Sequence, residues 1–478
     1  MAEEKKNEEV VAETVEKAVS EPIVETAEKD VTESVEETVV KSVEETVAET
    51  AAEGVKEKSN ISPGVARAVA NAFRARTDNT DKVMGGAIPF PPQIPINNMN
   101  MLGSVFPTGA VNLQNAVKVV FASGGTGGHL YPALALADEL KNFGILSCFF
   151  DSYKGMAHEI VERLGYPVTP VFAKGLEGSW WDKIMAILET GCGFIQCLYY
   201  LNFLHPAVVV GSGSYVCAPV VLAAAVLGIP VVLLEQNAFA GKAVRWLSHL
   251  AKCVCVSTPG EYPGIAPEKI IVTGNPVNSV ITRISSLKAR ERLGIPKDRP
   301  CVVVAGGSQG AASINRAVLA SLPKWVDRDM TVIHITGPKH LEEVFVRSQE
   351  LVRGKAIDYR PIAYTDEMPA LYAVADLIVC RAGATTLSEI TVRGLPSILV
   401  PYPHAAENHQ EANARILEER GAAKIIADEQ IEAQLAESVF SIIDNNELKN
   451  KMAAASRSLG HPEALSKVLA VIMASMKR

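Results

Sequence analysis

Two glycine-rich segments and a further strand-to-helix turn contain the residues of this sequence that could do chemistry. The first segment, residues 121–132, reads FASGGTGGHLYP and directly follows the apolar run 117–120. Glycines let backbone N–H groups approach an anion, and the helix predicted after them directs its positive dipole end to the same place. His129, a titratable residue, stands where the loop becomes helix. The segment indicates group transfer from a phosphorylated donor.

A simpler interpretation of this segment stays open at this point. The segment is not the P-loop pattern, because no Gly-Lys-Ser/Thr closes it, and it lacks the dinucleotide spacing G-x-G-x-x-G. It could be a tight connection between a strand and a helix, with His129 as an ordinary capping residue. Other segments of the sequence are needed to distinguish a phosphate-binding loop from a tight connection.

A second glycine-rich loop, GGSQGAA at residues 306–312, also lies between an apolar run and a helical pattern. The Ser308 hydroxyl and the amides after it could bind a phosphate oxygen. One such loop could be a packing turn. Two of them, each opening one half of the chain, favour a diphosphate held between the halves.

A third turn reads CRAGATTLSE at residues 380–389, and we expect Glu389 in the first turn of the helix that follows. An acid at that place either complements the helix dipole or binds the vicinal hydroxyls of a ribose. Polar side chains also follow two apolar strands, in the segments 235–237 (EQN) and 401–413 (PYPHAAENHQEAN). Such side chains could hold sugar hydroxyls.

The elements that position these residues alternate between apolar strands and helical stretches from about residue 116. Strands are predicted near 117–122, 146–150, 207–211, 230–234 and 253–256, and in a second series near 301–305, 331–335, 377–380 and 397–400. This alternation predicts an α/β protein with two Rossmann-like, doubly wound parallel-sheet domains that face each other across a cleft. The turn-rich segment 272–277 is suited to a hinge, and a ligand is expected where the carboxyl ends of both sets of strands meet.

The acidity of the chain is confined to its N-terminal part. The whole chain has a formal charge of −8, whereas residues 1–58 alone hold 18 acidic and 7 basic residues. This stretch of Val, Ala and Glu without aromatic residues predicts a disordered tail, and a transient helix or a coiled coil with a partner is the alternative. Residues 59–115 are rich in Pro, Asn and Gly and predict a linker. The near-neutral remainder shows no nucleic-acid footprint.

The sequence predicts neither disulfides nor a metal centre. The eight cysteines lack C-x-x-C pairs and zinc spacing, so reduced, mostly buried thiols are expected. Asp327-Arg328-Asp329 has the D-x-D spelling, but it falls in a polar connection between a helix and a strand, where a metal is not expected. The N-terminus has no secretory signal pattern.

Six ordered motifs resemble the bacterial peptidoglycan glycosyltransferases of the MurG type, in glycosyltransferase family 28. They are GGTGGHLYPALA, GIPVVLLEQN, TGNPV, GGSQGAASIN, CRAGATTLSE and NHQEANA, and the resemblance runs from about residue 116 to the C-terminus. It implies the GT-B fold, with the lipid acceptor on an N-terminal domain, 116–277, and UDP-GlcNAc mainly on a C-terminal domain, 278–478. The last helix is expected to pack back on the N-terminal domain.

The same resemblance implies the reaction: inverting transfer of GlcNAc from UDP-GlcNAc to the C4 hydroxyl of the muramoyl sugar of lipid I. The product would be lipid II, a precursor of peptidoglycan, and no cofactor would be required. His129 is implied as the base or as a group that orients the diphosphate. The other implied donor contacts are Thr126, Gly127, Gly128, Asn237, Ser308, Thr365, Ala384, Thr385, Thr386, Glu389, His409 and Gln410. Among these, Glu389 would clamp the ribose and Thr365 would meet the uracil through its backbone.

Two residues depart from the family pattern. Asn278 stands where the family usually has an arginine after Asn-Pro-Val, and a neighbour such as Arg283 could supply the missing charge. Ser214 replaces one glycine of the acceptor loop 211–215. Neither change removes a predicted chemical group, and the sequence leaves open whether either lowers activity.

Residues 180–204 are strongly apolar but are interrupted by Glu189, Gln196 and Asn202. A spanning helix needs about twenty consecutive apolar residues, so a buried helix pair or peripheral membrane contact is favoured over a span. The resemblance implies a peripheral enzyme on the cytoplasmic face of the bacterial inner membrane. Lipid I would be its lipid partner, and division or wall-synthesis proteins are further candidate partners.

Two other functions stay open from the sequence. One is another GT-B enzyme, either a glycolipid synthase or a UDP-GlcNAc 2-epimerase. The other is a non-catalytic scaffold of a wall-synthesis or division complex, tethered by the acidic tail. The departures at Asn278 and Ser214 keep the scaffold under consideration.

Overall fold

The computed structural model describes residues 116–124, 127–152, 156–175 and 179–476. The predicted tail (1–58), the predicted linker (59–115) and the predicted donor contact Thr126 lie outside these ranges.

The first sheet has seven parallel strands in the order β3-β2-β1-β4-β5-β6-β7. Its strands are β1 Lys118–Ala122, β2 Leu146–Ser152, β3 Val168–Val171, β4 Val208–Gly211, β5 Val231–Glu235, β6 Cys253–Val256 and β7 Ile270–Val272. The strand order reverses between β1 and β4. In an open parallel sheet, a crevice for a ligand opens at this switch point, outside the carboxyl ends of the strands.

The second sheet has six parallel strands in the order β10-β9-β8-β11-β12-β13. Its strands are β8 Cys301–Ala305, β9 Thr331–Ile335, β10 Asp358–Ile362, β11 Leu377–Cys380, β12 Ser397–Leu399 and β13 Ala423–Ile425. The order reverses between β8 and β11. The second glycine-rich loop follows β8 and the turn CRAG follows β11, so both flank this switch point.

Fifteen α-helices lie between and after the strands in the described part of the chain. They are α1 Gly127–Asn142, α2 Met156–Arg163, α3 Trp180–Leu204, α4 Cys217–Val226, α5 Lys242–Leu247, α6 Val280–Arg283, α7 Ser286–Arg292, α8 Ala312–Trp325, α9 Leu341–Val352, α10 Met368–Val374, α11 Ala384–Arg393, α12 His409–Glu419, α13 Ile431–Ile443, α14 Asn446–Ser458 and α15 Ala464–Ser475. Short 3₁₀ helices cover Pro267–Lys269 and Ala406–Asn408.

These two sheets confirm the predicted α/β class and its two doubly wound halves. The nine strands predicted from the sequence are all the inner strands, which are buried on both faces and are therefore continuous apolar runs. The four strands that the sequence did not predict, β3, β7, β10 and β13, are the sheet edges. Two of them contain a proline, Pro170 and Pro361, which an edge strand tolerates because one of its sides needs no ladder hydrogen bond.

Alternating side chains of β1 show how both faces of the first sheet are covered. Val119 and Phe121 pack into a buried cluster with Leu136 of α1, whereas Val120 packs on the other face with Val221 of α4. The cluster on the α1 face also contains Val468, Leu469 and Ile472 of α15. The C-terminal helix therefore lies on the first sheet, although the second sheet precedes it in the chain.

The segment after β7 joins the two halves through close contacts. Gly274 has a φ of +81°, and an added Cβ would lie 2.5 Å from Cβ of His461, just before α15. Asn275 donates from Nδ2 to the hydroxyls of Thr385 and Ser388 at 3.3 Å each. Thus the predicted hinge contacts the residues just before α15 and the first two turns of α11. The domain boundary at 277/278 stays a prediction.

Candidate active site

His129 lies in the first turn of α1, at the carboxyl edge of the first sheet. Its Nδ1 is 3.1 Å from Oε1 of Gln236, the residue that follows β5. The loop after β4 approaches the other side of the ring: an added Cβ on Gly213, which has a φ of +89°, would lie 3.8 Å from Cε1 of His129. Three strand ends therefore place the imidazole at the switch point of this sheet.

The surroundings of His129 favour a neutral imidazole. Burial is the largest effect and lowers its pKa, and nearby His409 acts in the same direction. Hydrogen bonds with the backbone of Ser212 and with Gln236 raise the pKa but do not compensate. A neutral imidazole has a free ring nitrogen and can accept a proton, which a general base must do.

Several predicted residues of the two halves meet directly. Thr385 donates its hydroxyl to the carbonyl oxygen of Gly128 at 2.8 Å. Asn413 accepts from the backbone N–H of Ala238 at 2.9 Å and donates from Nδ2 to Oδ1 of Asn237 at 3.2 Å. The carboxyl ends of the two sets of strands therefore face each other, as predicted for a cleft.

The starts of α1 and α11 make this meeting place suitable for an anion. Helix α11 begins at Ala384 after Gly383, so Ala384, Thr385 and Thr386 form its first turn. Helix α1 begins at Gly127, and no acidic residue stands in the first turn of either helix. The N–H groups of the first turns have no partner within their helices, and the two dipoles add to a positive local potential.

The predicted position of Glu389 is wrong by one helical turn. Because α11 begins at Ala384, Glu389 lies in its second turn and cannot cap the N-terminal dipole. Its Oε2 instead accepts a hydrogen bond from the hydroxyl of Tyr372 at 2.7 Å. Burial raises the pKa of Glu389 to about 7, although the hydrogen bond from Tyr372 lowers it. A half-ionised carboxylate held this way remains able to accept hydrogen bonds from a ribose diol.

Close packing explains the glycines of the second loop. Gly310 has a φ of +76°, and an added Cβ would overlap the carbonyl oxygen of Thr336 after β9. Gly337 has a φ of +85° and faces the carbonyl of Gln309 in the same way. Ser308 lies at the half-buried turn of this loop, beside the switch point of the second sheet. Packing thus fixes the loop at the carboxyl end of β8, where Ser308 lies.

The other predicted donor contacts lie on loops of the second half. The hydroxyl of Thr365, after β10, accepts from the backbone N–H of Glu367 at 2.9 Å. His409 begins α12, with Nδ1 2.5 Å from the carbonyl oxygen of Ala406. Gln410 accepts from the backbone N–H of Tyr402 at 3.0 Å.

An ion pair across the two halves holds the start of α12. Glu407, which has a φ of +50°, pairs with Arg245 of α5 at 2.9 Å. This pair and the Asn413 contacts join α12 to the first half at two places. The predicted polar segment 401–413 is therefore part of the contact between the halves.

The two departures from the family pattern have local structural roles. Asn278 accepts from the backbone N–H of Val280 at 2.9 Å and thereby supports the start of α6. Ser214 is buried, and its Oγ lies 3.8 Å from Sγ of Cys217 at the start of α4. Arg283 is exposed at the end of α6.

The cysteines and the acidic residues of the described chain form no metal site. No group of three or more His, Cys, Asp and Glu side chains suited to a metal occurs among the residues that the structure describes. Asp327 and Asp329 pair instead with Lys355 at 3.2 Å and with Arg299 at 2.5 Å. All eight cysteines are free thiols, and only Cys192 among them is exposed.

Sequence reasoning missed several residues of this region. The hydroxyls of Tyr131 and Tyr364 meet across the two halves at 3.1 Å. Asp151, the last residue but one of β2, lies beside the first glycine-rich loop, where an added Cβ on Gly124 would overlap its carboxylate. Burial raises the pKa of Asp151 to about 6. The sequence could have indicated Asp151, because this acid lies near the end of a predicted strand. It could not have indicated the pairing of Tyr131 with Tyr364, which exists only after folding.

Helix α3 presents an apolar surface to solvent. Only Ala186, Gly193, Cys197 and Leu201 are buried, along one stripe, where Gly193 approaches the carbonyl of Phe172 too closely for a Cβ. The exposed apolar residues are Trp180, Trp181, Ile184, Met185, Ile187, Leu188, Ile195, Tyr199 and Phe203. The predicted buried helix pair is wrong: 180–204 is one helix, with one side on the domain.

By length and composition alone, α3 would suffice to cross a membrane. It has 25 residues and a mean hydropathy of 1.4, and 22% of its most apolar window is buried. It is the only such helix in the described ranges.

Comparisons with known proteins agree with this geometry. The model of the glycosyltransferase family 28 N-terminal domain matches residues 119–256, and that of the family 28 C-terminal domain matches residues 301–468. A curated protein of Moorella thermoacetica is 38% identical over 373 residues, which are 76% of this chain and 100% of that protein. One of Listeria welshimeri is 38% identical over 365 residues, with the same coverage. Both are named UDP-N-acetylglucosamine--N-acetylmuramyl-(pentapeptide) pyrophosphoryl-undecaprenol N-acetylglucosamine transferase.

Solved structures give the same result for the fold. The crystal structure of Acinetobacter baumannii MurG is similar with a TM-score of 0.60 and 29% identity, over 75% of this chain and 99% of that one. The UDP-GlcNAc 2-epimerase of Neisseria meningitidis, bound to UDP-GlcNAc, has a TM-score of 0.52 and 16% identity, over 75% of this chain and 100% of that one. At that identity the likeness concerns the fold alone.

Proposed function

The chain belongs to glycosyltransferase family 28, and we propose that the cleft between its halves is where the sugar is transferred. The enzyme moves GlcNAc from UDP-GlcNAc to lipid I, the undecaprenyl-pyrophosphoryl-muramoylpentapeptide, and forms lipid II for the peptidoglycan of the cell wall. The identity of 38% over the full length of relatives named for this transfer carries the conclusion.

The reaction is a displacement at the anomeric carbon of the donor. The C4 hydroxyl of the muramoyl sugar attacks C1 of GlcNAc from the side opposite to UDP, the new O4–C1 bond forms, and the C1–O bond to UDP breaks with inversion. UDP leaves with the electron pair. We assign the proton of the attacking hydroxyl to His129, because its lowered pKa keeps the ring neutral and able to accept it.

The charge that develops on the leaving diphosphate needs hydrogen-bond donors fixed in advance. We assign this part to the starts of α1 and α11, with Gly127 and Gly128 in one and Ala384, Thr385 and Thr386 in the other. Ser308 on the second glycine-rich loop is a further phosphate contact in this proposal. No metal is part of it, since amides and helix dipoles supply the positive potential.

The remaining assignments concern the sugar, ribose and uracil. Glu389 would accept hydrogen bonds from the ribose diol, Asn237, His409 and Gln410 would contact GlcNAc, and the backbone at Thr365 would meet the uracil. Asn237 and Thr385 are bonded across the two halves, so we propose that the halves separate to admit the donor. The first half, 116–277, would then present the acceptor, and the second half, 278–478, would hold the donor.

A direct assay tests the function. The full chain is incubated with labelled UDP-GlcNAc and a lipid I analogue, and the product should be the corresponding lipid II analogue with release of UDP. A scaffold would bind no UDP-GlcNAc, a 2-epimerase would convert the donor without an acceptor, and a glycolipid synthase would prefer another UDP-sugar or acceptor. Any of these three results would overturn the proposal.

For the location, we propose peripheral membrane contact through the exposed side of α3. The helix already rests on its domain along the stripe from Ala186 to Leu201, so the opposite side can lie on lipid without leaving the fold. Tryptophan and tyrosine, present as Trp180, Trp181 and Tyr199, favour the interface between lipid and water. A polyprenyl acceptor would be met at that surface.

We expect that Trp181→Glu combined with Leu188→Glu weakens binding to anionic phospholipid vesicles by at least about tenfold, because each large apolar side chain contributes about 1.5–3 kcal/mol when buried. Turnover of a soluble acceptor analogue should stay unchanged. Vesicle sedimentation measures the first effect. The matched control is Phe345→Glu with Val346→Glu on α9, two exposed apolar residues of the second half. Equal binding by both double variants would refute the assignment to α3.

Removal of residues 1–110 is expected to leave transfer activity intact in a detergent assay. The reason is that 76% of this chain covers the whole length of the related transferases. Comparing kcat and KM of the shortened and full chains checks this expectation. A loss of turnover in the shortened chain, with its melting temperature preserved, would show that the N-terminal segment takes part in catalysis.

A further inference from the structure

Gln236 has a buried side-chain amide, of which the oxygen has a hydrogen-bond partner and the nitrogen has none among the described residues. Gln236 is 5% exposed, and its Oε1 lies 3.1 Å from Nδ1 of His129. Its Nε2 is buried without a hydrogen-bond partner in the part of the chain that the structure describes. A buried, unpaired amide N–H group costs stability, so an amide at this place needs a reason other than packing.

The contact with the imidazole supplies such a reason. An amide oxygen can only accept a hydrogen bond, so Nδ1 of His129 must carry the hydrogen. In a neutral ring, Nε2 then holds the free lone pair. This is the state in which Nε2 can take a proton from a hydroxyl.

We infer that Gln236 is a positioning residue that holds His129 in the Nδ1–H tautomer and leaves Nε2 as the basic atom. This inference deepens the proposed function, since it concerns the residue assigned as the base. Gln236 itself does not touch the substrate, because both of its amide atoms are enclosed: one faces His129 and the other has no exposed surface.

The groups around the imidazole of His129 determine how substitutions of Gln236 should change the pKa of that ring. His409 of α12 is the titratable side chain that acts on His129, and the backbone of Ser212 and the amide of Gln236 are the neutral partners. The contact with Gln236 raises the pKa of His129. Gln236→Met removes that contact at similar volume and should lower the pKa, whereas Gln236→Glu places a carboxylate there and should raise it.

The tautomer is measured without turnover, by two-bond ¹H–¹⁵N correlation spectra of the histidine rings in the full chain at pH 8. His129 is assigned by the signals that disappear in His129→Gln. Wild type should show the Nδ1–H pattern, and Gln236→Met should show a mixture or the Nε2–H pattern. Gln434→Met, on the exposed side of α13, is the control. The same tautomer in wild type and Gln236→Met would overturn the inference.

Kinetic measurements distinguish the positioning role of Gln236 from the role of His129 as the base. Gln236→Met should lower kcat by up to about tenfold, the worth of one neutral hydrogen bond, with the donor KM unchanged. The acidic limb of the pH profile should move to lower pH in this variant and to higher pH in Gln236→Glu. If the tautomer shifts and kcat and the profile do not, the positioning role stands and the base assignment fails. If the profile moves and the tautomer does not, the positioning role fails.

Discussion

Replacing His129 with alanine is expected to lower kcat by about 10²- to 10⁴-fold, the usual contribution of a positioned general base. His129 is half-buried, and among the described residues its side-chain hydrogen-bond partner is Gln236. Its loss should therefore leave the fold intact, which a melting curve can verify. Transfer of label from UDP-GlcNAc to a lipid I analogue measures kcat.

The same variant distinguishes the two roles that the sequence left open for His129. A base acts on the acceptor hydroxyl, so its removal should leave the affinity for UDP nearly unchanged. A group that orients the diphosphate should also weaken binding of UDP and raise the donor KM. His249→Ala, an exposed histidine of the first half, is the matched control. An unchanged kcat in His129→Ala would remove His129 from the mechanism.

Replacing Glu389 with alanine is expected to lower kcat/KM for UDP-GlcNAc by about 10²-fold. A hydrogen bond to a charged group contributes about 1.5–3 kcal/mol, and the carboxylate is proposed to accept from the ribose diol. Glu389→Gln keeps an acceptor for the hydroxyl of Tyr372 and should fold normally with a smaller loss. Glu437→Ala, an exposed glutamate on α13 paired with Lys324, is the control. Wild-type kinetics in Glu389→Ala would exclude the ribose clamp.

The raised pKa of Glu389 gives this prediction a pH dependence. With a pKa of about 7, the carboxyl is largely protonated below neutrality, whereas the diol prefers the ionised form. The KM for UDP-GlcNAc should therefore fall as the pH rises from about 6 to 8, by up to tenfold for each pH unit below 7. In Glu389→Gln this part of the dependence should disappear. An identical pH dependence of KM in both proteins would contradict the assignment.

Glu389 also affects the stability of the fold, which is favoured by the protonated carboxyl rather than by the ionised one. The folded pKa of about 7 exceeds the ordinary value of 4.5, so the unfolded chain releases this proton at lower pH than the folded chain. The contribution of Glu389 to the free energy of unfolding is therefore largest below pH 4.5 and decreases as the pH rises through 7. Burial of this carboxyl, which is proposed to bind the ribose in its ionised form, therefore costs stability near neutral pH.

The contacts between the halves also bear on how the site works. Oδ1 of Asn237 accepts a hydrogen bond from Asn413, and the hydroxyl of Thr385 donates to the carbonyl oxygen of Gly128, both between the two halves. If the donor binds Asn237 and Thr385 as proposed, it replaces these two bonds between the halves.

Much of this protein could be predicted from the sequence because its central strands are parallel and buried on both faces. Such strands are uninterrupted apolar runs, and the loops after them are short, so glycine and polar residues at their ends fall at one edge of the sheet. That is why His129, Ser308 and the turn before Ala384 could be placed at strand ends from spacing alone. The order of six motifs then indicated the family, which the comparisons confirm.

The tertiary structure alone decided what depends on contacts between distant residues. The edge strands exist because they pair with a neighbour, and their own sequences, such as DYRPI in β10, carry little strand signal. Glu389 lies one helical turn further along than predicted, because the loop before α11 determines which residue begins the helix. The partners of His129 and Thr385, namely Gln236 and Gly128, are 107 and 257 residues away in the chain. Local sequence therefore determined which chemical groups are present, and packing determined which of them face each other and in which protonation state.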